Sequence, residues 1–171
     1  MYILLPNFIS ESCAQAMCSA GVPNDQVVQK IIHTIEQMAQ YTAKKEKIIR
    51  ISNNAKGHPW HFDGCHSNTL GKEGTFVRIQ EEDALKNFQG ELVENHMGWC
   101  HFGASLLLTP PSEYEGGEFQ YMDKEGTIQT VKDKHYLGLV FHTAHRTNNP
   151  ELHRVLPHHP SAKRTVLLVF I

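Results

Sequence analysis

The sequence contains no C-x-x-C pair: its four cysteines, Cys13, Cys18, Cys65 and Cys100, stand apart. That spacing carries no recognisable zinc or redox framework and points to reduced thiols in a cytoplasmic setting. No secretory hydrophobic region is present either, because the opening run Met1-Tyr2-Ile3-Leu4-Leu5 is stopped by Pro6. Nothing approaches the ~18 apolar residues of a membrane-spanning helix. Positive charge is not in excess: 16 Lys and Arg against 18 Asp and Glu give a formal net charge of −2. Nucleic acid is therefore not the expected partner. Repeats and low-complexity segments are also missing. What is left is 171 residues, 40% hydrophobic and 20% charged, enough for one domain (1–171) with a substantial core.

Histidine is the residue in excess, at 12. Most of these read as surface or core-edge residues, and at most three would serve a metal site. Trp60-His61-Phe62-Asp63 singles out one of them. On a strand, residues two apart share a face, so His61 and Asp63 would offer an imidazole and a carboxylate side by side. Those are two ligands of a 2-His-1-carboxylate facial triad, which suits Fe(II) because it leaves positions open. With 12 histidines an H-x-D arises by chance roughly 0.35 times in a chain of this length, so the pair needs context.

The surrounding pattern begins with a short strand over 2–5. Ser10 caps a helix over 11–19, followed by Gly21 and Pro23. Asn24 or Asp25 opens a second helix, whose apolar face runs through Val27, Val28, Ile31, Ile32, Ile35, Met38, Ala39 and Thr42. Lys44, Lys45 and Lys47 would complement its dipole. This supporting part, 1–47, precedes a strand over 48–51. The segment 64–98 is polar and glycine-bearing, with a strand expected over 75–79 and a helix over 81–88; it reads as a lid or a peripheral insertion. Further strands are expected over 102–109, 118–122, 127–131, 136–142, 152–156 and 164–171. Two helices ahead of short strands with Gly/Pro turns predict an α+β, mainly β chain: a jelly-roll or sandwich covered by helices on one sheet.

His142, His145 and His153 are the candidates for a third ligand. His153 opens a strand, a stiffer platform than the loop around His145, while His142 ends a strand and remains a rival. Arg164 opens an otherwise apolar strand. If that strand pairs with the one bearing His153, Arg164 lies ~10 Å from it, the reach of a metal-chelating dicarboxylate held bidentately by a guanidinium.

Four stretches carry a family resemblance: His61-Phe62-Asp63; A-S-L-L-L-T-P-P-S-E-Y-E-G-G-E over 104–118; L-H-R-V-L-P over 152–157 with Arg164; and L-L-P-N-F-I-S over 4–10 through Cys13. In this order the chain resembles the Fe(II)/2-oxoglutarate-dependent dioxygenases, in particular their prolyl 4-hydroxylase-like branch. The resemblance implies a double-stranded β-helix (cupin-like) core over 48–171, with His61, Asp63 and His153 as catalytic iron ligands. It also implies that 2-oxoglutarate chelates the iron with its distal carboxylate on Arg164, and that O2 is consumed as succinate and CO2 form.

Three departures stand out. Relatives often place the basic residue nine or ten positions after the histidine, so Lys163 competes with Arg164. Arg164 is preferred because Phe170-Ile171 then falls where relatives carry an aromatic-aliphatic pair. The positions that often supply a tyrosine hydroxyl read Ile51 and Leu107, which leaves Ser105 or Thr109 as partners for 2-oxoglutarate. The stretch from Asp63 to Phe102 is longer than in relatives. The expected activity is hydroxylation of a peptide, protein or small-molecule substrate, with a peptidyl proline first. The rivals are a non-enzymatic jelly-roll that binds a metal or ligand, and a nucleic-acid demethylase of the same superfamily.

Overall fold

Alternating apolar side chains give a strand two usable faces, and in the computed structural model the long strands of this chain use both. The structure describes residues 1–53, 55–64, 85–86, 92–93, 97–144, 146–147, 151–161 and 163–171. Strand β1 (Tyr2–Leu5) leads into helices α1 (Glu11–Ala20) and α2 (Asp25–Ala39). Then come β2 (Ile48–Ser52), β3 (His58–His61), β4 (Leu85–Lys86), β5 (Leu92–Val93), β6 (Phe102–Leu107), β7 (Phe119–Met122), β8 (Ile128–Thr130), β9 (Leu139–Thr143), β10 (His153–Val155) and β11 (Val166–Phe170). A five-stranded sheet runs β1-β9-β6-β11-β2, a four-stranded sheet β3-β10-β7-β8, and β4 and β5 form a ribbon. Every pairing among these strands is antiparallel. This is the β-sandwich, jelly-roll type of arrangement the strand pattern predicts.

The larger sheet divides its side chains by period. Phe102, Ala104 and Leu106 of β6, Leu139 and Phe141 of β9, and Leu167 and Val169 of β11 form one buried cluster with Met17, Val27, Ile31 and Ile35 of the helices. Gly103, Ser105, Val140 and His142 alternate with them and therefore face the other way, where Val140 packs with Phe119 of the smaller sheet. Local signals set the helices: Ser10 Oγ accepts from Cys13 N at 3.3 Å, and Asn24 Oδ1 accepts from Val27 N at 3.1 Å. Gly21 closes α1 at φ +67°. Among the described residues no helix is long and apolar enough to cross a membrane.

Several expectations need correction. Helix α2 stops at Ala39 because Gln40 takes a left-handed conformation at φ +51°, so Thr42 lies beyond its apolar face and Met38 is exposed. Lys44, Lys45 and Lys47 also lie past the helix, whose last turn has no basic residue, so they complement no dipole. Within the expected helix over 81–88, Leu85 and Lys86 are a strand paired with Leu92 and Val93; the rest of that helix, and the strand expected over 75–79, lie outside the described residues.

Strands β10 and β11 do not pair. β10 sits between β3 and β7, and β11 between β6 and β2. A strand apolar on both faces needs cover on both sides, and β11 obtains it from the helices on Leu167 and Val169, from Tyr114 on Val166 and from Cys100 and Ala144 on Phe170. The chain crosses between sheets along 156–165. There His158 N donates to Ala55 O at 3.0 Å, and Gly116 bridges His158. A Cβ on Gly116 would lie 2.2 Å from Pro157 O.

Candidate metal centre and the adjoining polar cluster

β10 pairs with β3 so that His153 stands directly opposite His61. Asp63 follows two residues later, and Gly64 turns the chain at φ +82°. One ligand atom from each of His61, Asp63 and His153 lies within 4.8 Å of the others, and all three residues are buried. His61 Nε2 is 3.3 Å and His153 Nε2 3.6 Å from Asp63 Oδ1. Two donors at right angles, each ~2.1 Å from a common ion, would be ~3 Å apart. The donor set fits a divalent metal: two imidazole nitrogens and one carboxylate oxygen on one side, the facial arrangement that suits non-haem iron.

His142, a rival third ligand in the sequence, has another place. Its Nε2 donates to Asp63 Oδ2 at 2.6 Å, because an ionised carboxylate only accepts. The two carboxylate oxygens thus divide their roles: Oδ2 is held by His142 and Oδ1 is turned to His61 and His153. Such outer partners fix a ligand's orientation. His145, the other rival, lies outside the described residues.

Gly103 makes the approach possible. A Cβ there would sit 1.8 Å from Asp63 Oδ2 and 2.8 Å from His142 Nε2. His153 Nδ1 donates to the Glu151 carbonyl at 3.1 Å; since a carbonyl only accepts, Nδ1 carries the proton and Nε2 keeps its lone pair. Phe119 stacks on His153 at 5.2 Å and 7°.

Electrostatics agree with ligand roles. Burial opposes ionisation of Asp63, but the surrounding imidazoles and the hydrogen bonds from His142 and His61 outweigh it and hold the carboxyl well below its usual range. Burial, with the neighbouring His142 and His61, pushes His153 well below its usual value and keeps it a neutral donor. Cys100 is no ligand candidate: burial, then the charge of Asp63, raise its thiol, which donates to Phe102 O at 3.4 Å.

A second polar cluster adjoins this one. Arg164 is 4% exposed, whereas Lys163 is exposed. Thr109 brackets the arginine: its hydroxyl donates to Lys163 O at 3.0 Å and accepts from Thr165 N at 2.9 Å. That hydroxyl is thereby committed to backbone, and it serves to position Arg164. Ser105 Oγ is 3.2 Å from His135 Nε2. Burial lowers the Arg164 guanidinium, while Tyr114 and Glu118 oppose the shift. Gly117, at φ +73°, leaves the room Arg164 occupies: a Cβ would lie 2.7 Å from its Cδ and 3.1 Å from Tyr114 Cε2.

Tyr114 and His135 were not evident from the sequence as members of this cluster. Tyr114 sits in the Glu113-Tyr114-Glu115-Gly116-Gly117 turn, where the paired glycines were the only signal. Lys134 fastens it, donating to Tyr114 O at 3.2 Å and lying 4.4 Å from its ring centroid. Arg164 Nε, the Tyr114 hydroxyl and His135 Nδ1 are buried with no hydrogen-bond partner of good geometry among the described residues. Unsatisfied buried polar groups are costly, so this cluster has the chemistry of a subsite for an acceptor-rich group.

No protein-family model matches the sequence, and no curated protein does. Among solved structures, the chain is similar to a prolyl-4-hydroxylase of Pseudomonas putida, with a TM-score of 0.58 and 12% identity over 99% of this chain and 90% of that one. At this identity the likeness speaks for a shared fold.

Proposed function

We propose that this chain is an Fe(II)- and 2-oxoglutarate-dependent oxygenase with a double-stranded β-helix core that hydroxylates a peptide, a peptidyl proline first among candidates. The observation that carries the reading is the meeting of His61, Asp63 and His153 from β3, its following turn and β10 around one buried point. The similarity in fold to a prolyl-4-hydroxylase supports it.

When bound, ferrous iron and 2-oxoglutarate supply the oxidising chemistry, consuming O2 and releasing succinate and CO2. The chain's own residues prepare the place. Asp63 stays anionic and offers Oδ1 while His142 holds Oδ2. His61 and His153 offer imidazole nitrogens, the second fixed in its tautomer by Glu151 O. Arg164 stands ready for the distal carboxylate of 2-oxoglutarate, with Thr109 holding the backbone on both sides of it. Phe119, Val140 and Val155 close the interior between the sheets and exclude water from the reacting groups.

The test is anaerobic titration of Fe(II) and 2-oxoglutarate. An oxygenase shows a visible absorption band that requires both, and releases succinate when air is admitted. Asp63→Ala and His153→Ala should each abolish the band and the succinate while leaving the thermal transition intact. Metal binding without the band would identify a non-enzymatic metal-binding jelly-roll, and turnover retained in both variants would show the ligands to be elsewhere.

A further inference from the structure

The two imidazoles of the metal centre are held unequally. His153 lies in the middle of the smaller sheet, on β10, with β3 on one side and β7 on the other. His61 lies on β3, at the edge of that sheet, whose strand neighbour among the described residues is β10. The pairing between β3 and β10 is broken. His61 stands opposite His153 and His58 opposite Val155, and the register shifts in between. Pro59 and Trp60 therefore stand against Arg154 alone. Two residues against one make a β-bulge, which interrupts the ladder and re-aims a side chain. Proline, with no N–H to give, is confined to edges and bulges in a sheet. The backbone ladder thus fixes His61 less firmly than His153.

A row of side chains spans this gap on the face turned away from the metal centre. Arg154 follows His153, so strand alternation sends its side chain to that face. There its guanidinium lies over the ring of Trp60, the residue before His61, 4.7 Å from the centroid. Arg154 Nε donates to Gln120 Oε1 at 2.7 Å, and Gln120 Nε2 donates to Thr130 Oγ1 at 2.9 Å. Arg154 and Gln120, and Gln120 and Thr130, are directly opposite across β10, β7 and β8. The row therefore ties the edge strand to the rest of the sheet. Trp60, Arg154 and Gln120 are half-buried, where a cation–π contact is stronger than in open water. Arginine suits the place, because its planar guanidinium stacks on a ring while its Nε–H reaches a second partner.

We propose that Arg154 is a positioning residue for the metal centre: laid on Trp60 and held by Gln120, it spans the bulge and sets His61 against His153 and Asp63. The inference rests on the metal-binding part of the oxygenase reading and involves neither co-substrate nor substrate. Sheet pairing brings the two imidazoles together, and the row behind them governs how well they converge.

The experiment is Mn(II) titration of the metal-free chain, followed by electron paramagnetic resonance, beside the thermal midpoint of each metal-free variant. Arg154→Ala should weaken Mn(II) about threefold to tenfold, the scale of a half-buried cation–π contact with its supporting hydrogen bond. At saturation it should also change the zero-field splitting of the bound Mn(II), which follows the ligand geometry. Arg154→Lys keeps a cation for the ring and should recover part of the affinity. Trp60→Leu should match Arg154→Ala, and the double variant should be no weaker than either, since both remove one contact. A lowered thermal midpoint with Mn(II) affinity and spectrum unchanged overturns the inference and makes the row an element of the fold only. Additive losses in the double variant overturn it too, because the two side chains would then act separately. Should Arg154→Ala not fold, Arg154→Lys and Trp60→Phe decide: native affinity and spectrum in both overturn the inference. Each of these failures leaves the metal ligands standing. If the native chain takes up no Mn(II), or takes it up as well after His153→Ala, the metal centre is misassigned and the inference falls with it.

Discussion

The two polar ends of the interior are built on opposite plans. At the metal end the carboxylate has partners on both oxygens: Asp63 lies within 3.6 Å of three imidazole nitrogens. At the Arg164 end Arg164 Nε, the Tyr114 hydroxyl and His135 Nδ1 lack a well-formed partner among the described residues, and Glu118 lies 3.6 Å from Lys134. A cation site made of imidazoles can rest on its own hydrogen bonds, because an imidazole either donates or coordinates. An anion site of guanidinium and phenol has no such exchange of roles. The first end is thus held largely by its own hydrogen bonds, His142 Nδ1 excepted, while the second, on the proposed reading, would draw its acceptor from outside the chain.

The glycines at the two ends separate them most sharply. Gly103→Ala places a methyl 1.8 Å from Asp63 Oδ2, so the carboxylate must swing away from His142. Metal affinity should fall at least as far as on loss of an outer-shell partner, about 10–100-fold, measured by Mn(II) titration. Gly117→Ala crowds Arg164 instead. It should leave Mn(II) affinity unchanged and weaken 2-oxoglutarate. If both substitutions lowered metal affinity equally, the two ends would be one site and the contrast would be lost.

A smaller effect divides the two basic neighbours. Arg164→Ala removes a buried guanidinium and should raise the 2-oxoglutarate requirement by about thirtyfold or more, as when one partner of a buried charge pair is truncated. Lys163→Ala touches an exposed side chain and should change it little. The opposite order would assign the anchor to Lys163.

How much of this was legible in the sequence follows the range over which each signal acts. His61 and Asp63 were readable as a closely spaced pair, although only His61 lies on β3 and Asp63 sits in the turn that follows it, and His153 because it opens a strand. Arg164 was readable as a lone charge ahead of an apolar run. The pairing imagined for it was wrong, since β10 and β11 belong to different sheets, and nothing local distinguishes a hairpin from a crossing between sheets. Gly103 carried a faint mark, a glycine inside an apolar strand, which often signals close approach of another group. His135 carried none. Its left-handed backbone uses Lys134, His135 and Leu137, none of them the glycine or asparagine that would betray such a turn. Tyr114 reaches Arg164 only through the fold, so residue type and spacing could not place it.

The weakest expected contrast is in the response to acid, and its sign comes from the buried imidazoles. His135 has a folded pKa of about 3 against the ordinary 6.5, and His153 is shifted in the same direction. Between about pH 3 and 6.5 the unfolded chain binds more protons than the folded one, so stability rises with pH across this window and levels off above it. Each such imidazole contributes up to about 1.4 kcal/mol per pH unit. Asp63 adds its own loss only at lower pH, because its folded carboxyl is depressed below an already acidic reference. Urea unfolding of the metal-free chain should therefore show stability falling from pH 7 to pH 5. His135→Asn should shrink that fall by one imidazole's share and leave the part due to His153. Identical pH profiles for the native chain and His135→Asn would mean that His135 takes up its proton in the folded state. The Arg164 end would then be open to water, unlike the metal end.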